Sequence, residues 1–321
     1  MSTLTTAAQA VDTALDRTIA PGYTRIGYHL RRHLPTWPAD PRPGSMAGHD
    51  VVVTGASSGL GEACARQLLG LGAHVHLVVR DEAKGEGVAS EIDPGRESST
   101  VWVCDVGDLD SVADFTERFR DSGTRLRGLV HNAGVMPPER TTSAQGHELS
   151  MSVHLLGPLA MTDALVPAME GVQTRVVFVT SGGMYAQELP VTDPEYRDGE
   201  YAGATAYARS KRAQVELLHP MQRRWVGRDV RVCAMHPGWA GTPGVAESLP
   251  LFDKITGPVL RSADEGADTI TWLIARDDRP QPATLWHDRR PRPTSYLSRT
   301  MPTPTEREHF WEWAKGAAGL G

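Results

Sequence analysis

One asparagine, four lysines and three cysteines in 321 residues leave three chemically versatile side chains in short supply. The cysteines, Cys64, Cys104 and Cys233, are odd in number, far apart and outside any metal-ligand spacing. That excludes a disulfide scaffold and a thiolate metal site, and they read as small buried hydrophobes in a reducing compartment. No metal is expected. No apolar run approaches the 18 residues of a membrane span, and residues 1–20 lack a basic stretch followed by an apolar one. The expectation is a soluble, cytoplasmic chain. Neither sign of charge forms a long block, and 33 basic against 39 acidic residues leave a net charge of −6, so nothing calls for nucleic acid as a partner. Internal repeats are also missing. With 32 Gly and 23 Pro the chain stays below the share, roughly 25–30%, that marks low complexity.

What is present is an α/β pattern. Short β-branched runs at 51–54, 74–79, 100–104, 128–131, 175–180, 230–235 and 284–286 alternate with helix-length stretches at 60–71, 82–92, 109–120, 145–169, 204–225 and 264–275. Strands on both sides of such helices imply right-handed parallel βαβ units, hence a doubly wound, seven-stranded parallel sheet of Rossmann type. Length alone, at about 150 residues per domain, suggests two domains, but α/β folds run to about 250 as one. The spacing assigns 48–290 to one dinucleotide-binding catalytic domain. Residues 1–47 form an arm, in which Leu4, Ala7, Ala8, Val11, Leu15 and Ile19 recur at helical spacing before a linker with four prolines at 35–43. Residues 291–321 form a proline-rich tail with a short helix that Thr305 can cap. The alanine-rich face of the arm, with Arg25, Arg31, Arg32 and His33, fits packing on the domain or a partner subunit better than a membrane surface.

The first strand runs into Thr54-Gly55-Ala56-Ser57-Ser58-Gly59-Leu60-Gly61, and a helix follows at once. Glycines at 55, 59 and 61 allow a tight turn and close backbone approach to a pyrophosphate, which the helix N-terminus then holds. The alternative, a plain strand-to-helix turn, is weakened by the βαβ context. The second strand ends on Val79 with Arg80 next, where an NAD site would carry an acidic residue. A guanidinium grips a 2′-phosphate bidentately, with Ser57 and Lys84 as further donors, so NADP(H) is preferred over NAD(H). The competing reading gives the ribose to Asp81 and leaves Arg80 a solvated charge.

Tyr207 and Lys211, four apart on a helix, share one face. An ammonium beside the phenol favours the phenolate and draws Tyr207 from near 10 toward neutrality, where it can exchange a proton with an alcohol. Ser181 follows a strand at the carboxyl edge of the sheet and can donate to a carbonyl as charge develops there. Thr180 is its competitor.

The Gly-x-x-x-Gly-x-Gly turn resembles the cofactor loop of the short-chain dehydrogenase/reductase superfamily. Asn132-Ala133-Gly134, Ser181 and Tyr207-Ala208-Arg209-Ser210-Lys211 match its other motifs in order, over about residues 50–240. Val179-Thr180-Ser181-Gly182-Gly183-Met184, His236-Pro237-Gly238-Trp239-Ala240-Gly241-Thr242-Pro243-Gly244-Val245 and Gly266-Ala267-Asp268-Thr269 are similar to the retinol-dehydrogenase-like branch. The resemblance implies a nicotinamide-dependent oxidoreductase acting on a carbonyl or alcohol, and often a homo-oligomer. It places Asp105 and Val106 at the adenine, Lys211 on the nicotinamide ribose, and Pro237, Gly238 and Thr242 at the carboxamide. Residues 186–203 lengthen the interval between Ser181 and Tyr207 and are expected to loop over the substrate mouth. Residues 245–260, mostly apolar, fit a substrate cover and suggest an apolar substrate.

One position departs from the family pattern. Where many members carry an asparagine that holds a water for the proton relay, this chain has His154. His154 either does the asparagine's job, lowers the efficiency of the relay, or marks a site that binds NADP(H) without turnover. An imidazole titrating near 6.5 is expected to add a pH dependence at 6–7. The leading function is an NADP(H)-dependent oxidoreductase on a small molecule; the alternative is a dinucleotide-binding module.

Overall fold

The computed structural model describes residues 3–242, 244, 254 and 256–321. Apolar runs, buried along most of their length except in the edge strand β3, form the strands β1 (Asp50–Thr54), β2 (His74–Val79), β3 (Ser99–Val103), β4 (Leu126–His131), β5 (Thr174–Val179), β6 (Val230–Met235) and β7 (Thr284–His287). Continuous burial is what a parallel sheet with helices on both faces requires. All seven pair in parallel, in the order β3-β2-β1-β4-β5-β6-β7, so the chain reverses direction across the sheet between β1 and β4. Ligands of open α/β sheets bind beyond the carboxyl ends at such a switch point.

The sheet has eight strands, not seven. β8 (Arg290–Arg292) returns antiparallel on β7 through Asp288 and Arg289, at φ +50° and +57°. Two left-handed residues make the kind of two-residue turn that joins tight hairpins. Nothing in Asp-Arg announces such a turn, which is why the sequence pattern stopped at seven.

On one face of the sheet pack α4 (Gly59–Gly70) and α11 (Ala263–Ala275), with α5 (Glu82–Ile92) beside β2 and β3. The other face carries α6 (Leu109–Asp121), α8 (Gly157–Met169), α9 (Gly203–Glu216) and α10 (Leu218–Arg224). α8 continues a short helix, α7 (Leu149–Met151), through a π-helical turn at Ser152–Leu156. The stretch Leu149–Met169 is long and apolar enough to cross a bilayer, but most of it is buried in this core.

The tail joins the same core. Its helix α12 (Pro304–Ala317) buries Phe310, Trp311 and Ala314. Thr303, not Thr305, caps it: the hydroxyl accepts from the Glu306 amide, and Glu306 reaches back to the Thr303 amide in a capping box. The arm also docks on the domain, as helices α1 (Thr3–Arg17), α2 (Ile19–Tyr23) and α3 (Arg25–Arg32). Arg31 bridges Asp12 of α1 at 2.9 Å and Asp288 of the β7–β8 turn at 2.6 Å. Arg261 also grips Asp288 at 2.6 Å, and Arg292 of β8 grips Asp12 at 2.8 Å. Burial alone would raise Asp288; Arg261, His287 and Arg31 outweigh it and hold the carboxyl far below the usual range. Removing one partner from such a network leaves an uncompensated buried charge, which fixes the arm strongly in register.

Candidate active site

The turn after β1 has the tightness and open amides that fit a pyrophosphate. Gly55 sits at φ +65°. A Cβ at Gly61 would lie 2.2 Å from the Gly55 carbonyl and 2.5 Å from Asn132 Nδ2, so no larger residue fits. Ser58, at the N-cap position of α4, is exposed and makes no side-chain cap bond. The first-turn amides of α4 are thus left for an anion. Ser57, Gly59 and Leu60 are partly exposed along the same turn.

The one asparagine staples this turn to the next. Asn132 Nδ2 donates to the carbonyls of Thr54 and Gly55 at 3.0 and 3.2 Å. The Asn132 and Ala133 amides donate to Thr54 Oγ1 at 3.0 and 3.1 Å, leaving Gly134 exposed beyond them. Thr54 therefore sets the geometry of both turns, a role the glycine pattern did not reveal. Arg80 is exposed at the end of β2 and forms no ion pair among the described residues. Asp81 is spent on α5, where its carboxylate caps the Lys84 amide at 3.1 Å. Asp105, beyond β3, accepts from the Gly107 amide at 2.9 Å, and Val106 is buried beneath it. Glycine turn, unpaired guanidinium and Asp105 together fit a phosphorylated dinucleotide.

At the carboxyl ends of β5 and β6 the residues expected to react come together. Thr180 points into the fold and donates to the Lys211 carbonyl at 2.9 Å, so Ser181 is the hydroxyl left at the edge. Ser181 opens a 3₁₀ turn, accepts from the Gly183 amide at 3.3 Å, and acts on the Tyr207 phenol to favour its ionised form. Lys211 Nζ lies 5.5 Å from the centre of the Tyr207 ring and donates to the Val179 carbonyl at 2.7 Å. Burial raises Tyr207 above the ordinary phenol value, with Ser181 opposing, and pushes Lys211 down to about 7. The expected lowering of Tyr207 by an ammonium is therefore corrected. In the ligand-free chain desolvation dominates, and the group tuned toward neutrality is Lys211.

His154 lies in the π-helical turn, fully buried. Its Nε2 faces the Val135 amide at 3.1 Å, and an amide only donates, so the ring proton is on Nδ1 and is given to Ser210 Oγ at 2.7 Å. The Ser210 hydroxyl in turn donates to the Tyr207 carbonyl at 2.8 Å. The His154 carbonyl accepts from Gln214 Nε2 at 2.6 Å. Burial, then the Lys211 charge, hold the imidazole well below 6.5. The expected His154 titration at 6–7 is overturned, because the ring stays neutral and ties the turn after β4 to α9.

Beyond β6, the Pro237 carbonyl accepts from Arg261 Nη1 at 3.1 Å, Gly238 takes φ +77°, and Thr242 is half-buried. His236 is fully buried and stacked on His287, a packed residue and not a reacting one. The segment at 186–203 is pinned through Glu195, whose carboxylate accepts from His147 Nδ1 and the Glu148 amide, both at 2.7 Å. Most of the expected substrate cover at 245–260 lies outside the described residues. At the opposite end of the sheet Asp50, His74 and His76 come within metal-ligand distance of one another. Trp102 donates to His76 Nδ1 at 3.0 Å, so His76 Nε2 carries the proton that it gives to Asp50, which is a hydrogen-bond chain and a poor donor set for a metal.

Residues 49–250 match the family model described as short chain dehydrogenase. Dehydrogenase/reductase SDR family member 12 of Bos taurus is 36% identical over 298 residues, covering 90% of this chain and 92% of that protein. Retinol dehydrogenase 12 of Homo sapiens is 34% identical over 229 residues, covering 70% and 72%. The crystal structure of a metagenomic short-chain oxidoreductase in complex with NADP superposes with a TM-score of 0.55 at 26% identity, over 74% of this chain and 95% of that one. Similarity of this extent makes the chain a member of the short-chain dehydrogenase/reductase family, on its retinol-dehydrogenase-like branch, and an oxidoreductase of the CH–OH/C=O class.

Proposed function

We propose that the chain is an NADP(H)-dependent oxidoreductase that interconverts a carbonyl and an alcohol on a small apolar molecule. The convergence of Ser181, Tyr207 and Lys211 at the switch-point edge of the sheet carries the reading. Arg80, unpaired where Asp81 is committed to its helix, supports NADP over NAD, as does the NADP bound by the metagenomic relative. The nicotinamide, when bound, supplies or accepts the hydride.

The chain's own residues orient the substrate and handle the proton. Ser181 Oγ donates to the substrate oxygen and stabilises the charge that builds there. Tyr207 Oη gives that oxygen its proton in the direction of reduction and takes it back in oxidation. Lys211, buried beside the Tyr207 ring, favours release of that proton whenever it is itself charged. The pinned segment at 186–203 walls the mouth and limits water. A second reading, a binding module without turnover, draws on His154: both ring nitrogens are hydrogen-bonded within the protein, which leaves the imidazole unavailable to a relay water.

One assay separates the two readings. Protein, NADPH and a panel of apolar aldehydes and ketones are mixed and absorbance at the nicotinamide band is followed. Turnover that drops by about 10²-fold or more in Tyr207→Phe is expected. Undiminished turnover in that variant refutes the mechanism, and NADPH binding without any turnover selects the module.

A further inference from the structure

The arm α1–α3 lies outside the residues 49–250 that the family model covers, yet its Tyr23 sits between two turns of the active site. Tyr23 is only 1% exposed. Its carbonyl accepts from the Trp239 amide at 2.8 Å and from Arg261 Nε at 3.0 Å. A Cβ at Gly238 would lie 2.6 Å from the same carbonyl. On its other side, a Cβ at Gly182, next to Ser181, would lie 2.6 Å from Tyr23 Cε2. The ring centre is 4.8 Å from that of His236 and 6.5 Å from that of Trp239, which it meets edge-on. The Tyr23 hydroxyl, by contrast, is buried with no hydrogen-bond partner among the described residues. The contacts therefore belong to the ring and the backbone.

Arg261 makes the same connection by charge. One guanidinium donates to the Tyr23 and Gly22 carbonyls of the arm, to the Pro237 carbonyl after β6, and to both oxygens of Asp288. The arm, the turn after β6 and the β7–β8 hairpin thus share one buried cation. At the far half of the site, the glycine turn, Arg80 and Asp105 follow β1, β2 and β3, and among the described residues no arm side chain bonds them.

We infer that Tyr23 is a positioning residue for the nicotinamide half of the site: the arm wedges its ring and carbonyl between the Ser181 turn and the Pro237–Thr242 turn and sets their separation. The inference rests on the NADP(H) reading above. Ser181 must meet the substrate oxygen while the turn after β6 holds the nicotinamide, and a shift of about 1 Å between such groups costs about 10²-fold in rate. Gly182 is then a glycine because the Tyr23 ring occupies the space of its side chain, while Gly238 is required already by its φ of +77°.

The test compares dissociation constants for NADPH and for 2′-phospho-ADP-ribose, which lacks the nicotinamide, in the parent, Tyr23→Phe, Tyr23→Leu and Tyr23→Ala. Tyr23→Phe, keeping the ring, should stay within about twofold of the parent for both ligands. Tyr23→Ala should weaken NADPH by about tenfold or more and the fragment by less than about twofold, with any kcat lowered by about 10²-fold. If Tyr23→Ala does not fold, the same split in Tyr23→Leu decides. Equal weakening of both ligands, or no weakening of either, in a parent that binds both overturns the inference alone. A parent that binds neither overturns the NADP(H) reading and the inference with it. Because binding is read directly, a parent without turnover still tests the role of Tyr23.

Discussion

Replacing Lys211 with Met should stabilise the ligand-free chain at low pH, and the gain should shrink as pH rises. The Lys211 side chain is buried, with Nζ donating to the Val179 carbonyl, and desolvation brings it from an ordinary 10.5 to about 7. Below pH 7 the folded chain carries a desolvated ammonium that the unfolded chain hydrates freely. A shift of this size, at about 1.4 kcal/mol per unit, amounts to about 5 kcal/mol against the folded state. Between 7 and 10.5 the unfolded lysine keeps a proton that the folded one has lost. The unfolded state then binds more protons, so parental stability rises with pH by about 1.4 kcal/mol per unit in that window.

Methionine fills similar space without titrating, but leaves the Val179 carbonyl unpaired at a pH-independent cost of about 1–3 kcal/mol. The variant should therefore be more stable than the parent by about 2–4 kcal/mol at pH 6 and roughly equal to it by pH 9. Urea unfolding of both chains across that range reads the difference, which cancels the other titrating groups. A difference that does not change with pH means that Lys211 is not desolvated. The variant should also lose turnover, which makes the charge at this site a stability cost retained for chemistry.

Carbonyl reduction should slow as pH rises through about 7, where Lys211 gives up its proton, and His154→Asn should leave that inflection in place; an inflection that disappears with His154 refutes the neutral, structural assignment of the ring. Arg80→Ala should raise KM for NADPH by about tenfold or more and leave NADH unchanged, since a charge-assisted contact is worth about 1.5–3 kcal/mol; equal effects on the two cofactors refute the 2′-phosphate contact. Phe310→Ala should cost about 3–5 kcal/mol in urea unfolding, and a loss below about 1 kcal/mol would show that α12 is not part of the core.

Local pattern carried the central domain because each signal there is short-range. All seven expected strands begin and end within two residues of β1 to β7, and β2 and β6 match throughout, since buried parallel strands read as continuous apolar runs. The glycine turn, Ser181, Tyr207 and Lys211 were legible for a related reason: each stands where one strand or one helix turn dictates its exposure. Signals failed where the deciding partner is remote or the geometry is irregular. Arg290-Pro291-Arg292 has no apolar alternation and becomes a strand because Asp288 and Arg289 reverse the chain. His154 could be aligned with an asparagine, but its tautomer follows from Val135 and Ser210, 19 and 56 residues away.

The arm makes the same point most sharply. Asp12, Asp16 and Arg31 spell an ordinary solvated helix face, and each is buried against residues about 20 to 280 positions distant. Periodicity assigns a side chain to a face, but it cannot say what that face meets, because burial of a charge is decided by an opposite charge arriving from elsewhere. The same limit hides Tyr23. Its neighbours Gly182 and Gly238 look like routine turn glycines until the ring and carbonyl between them are in place, and only then does a segment outside the matched family region become a brace between two turns of the proposed site.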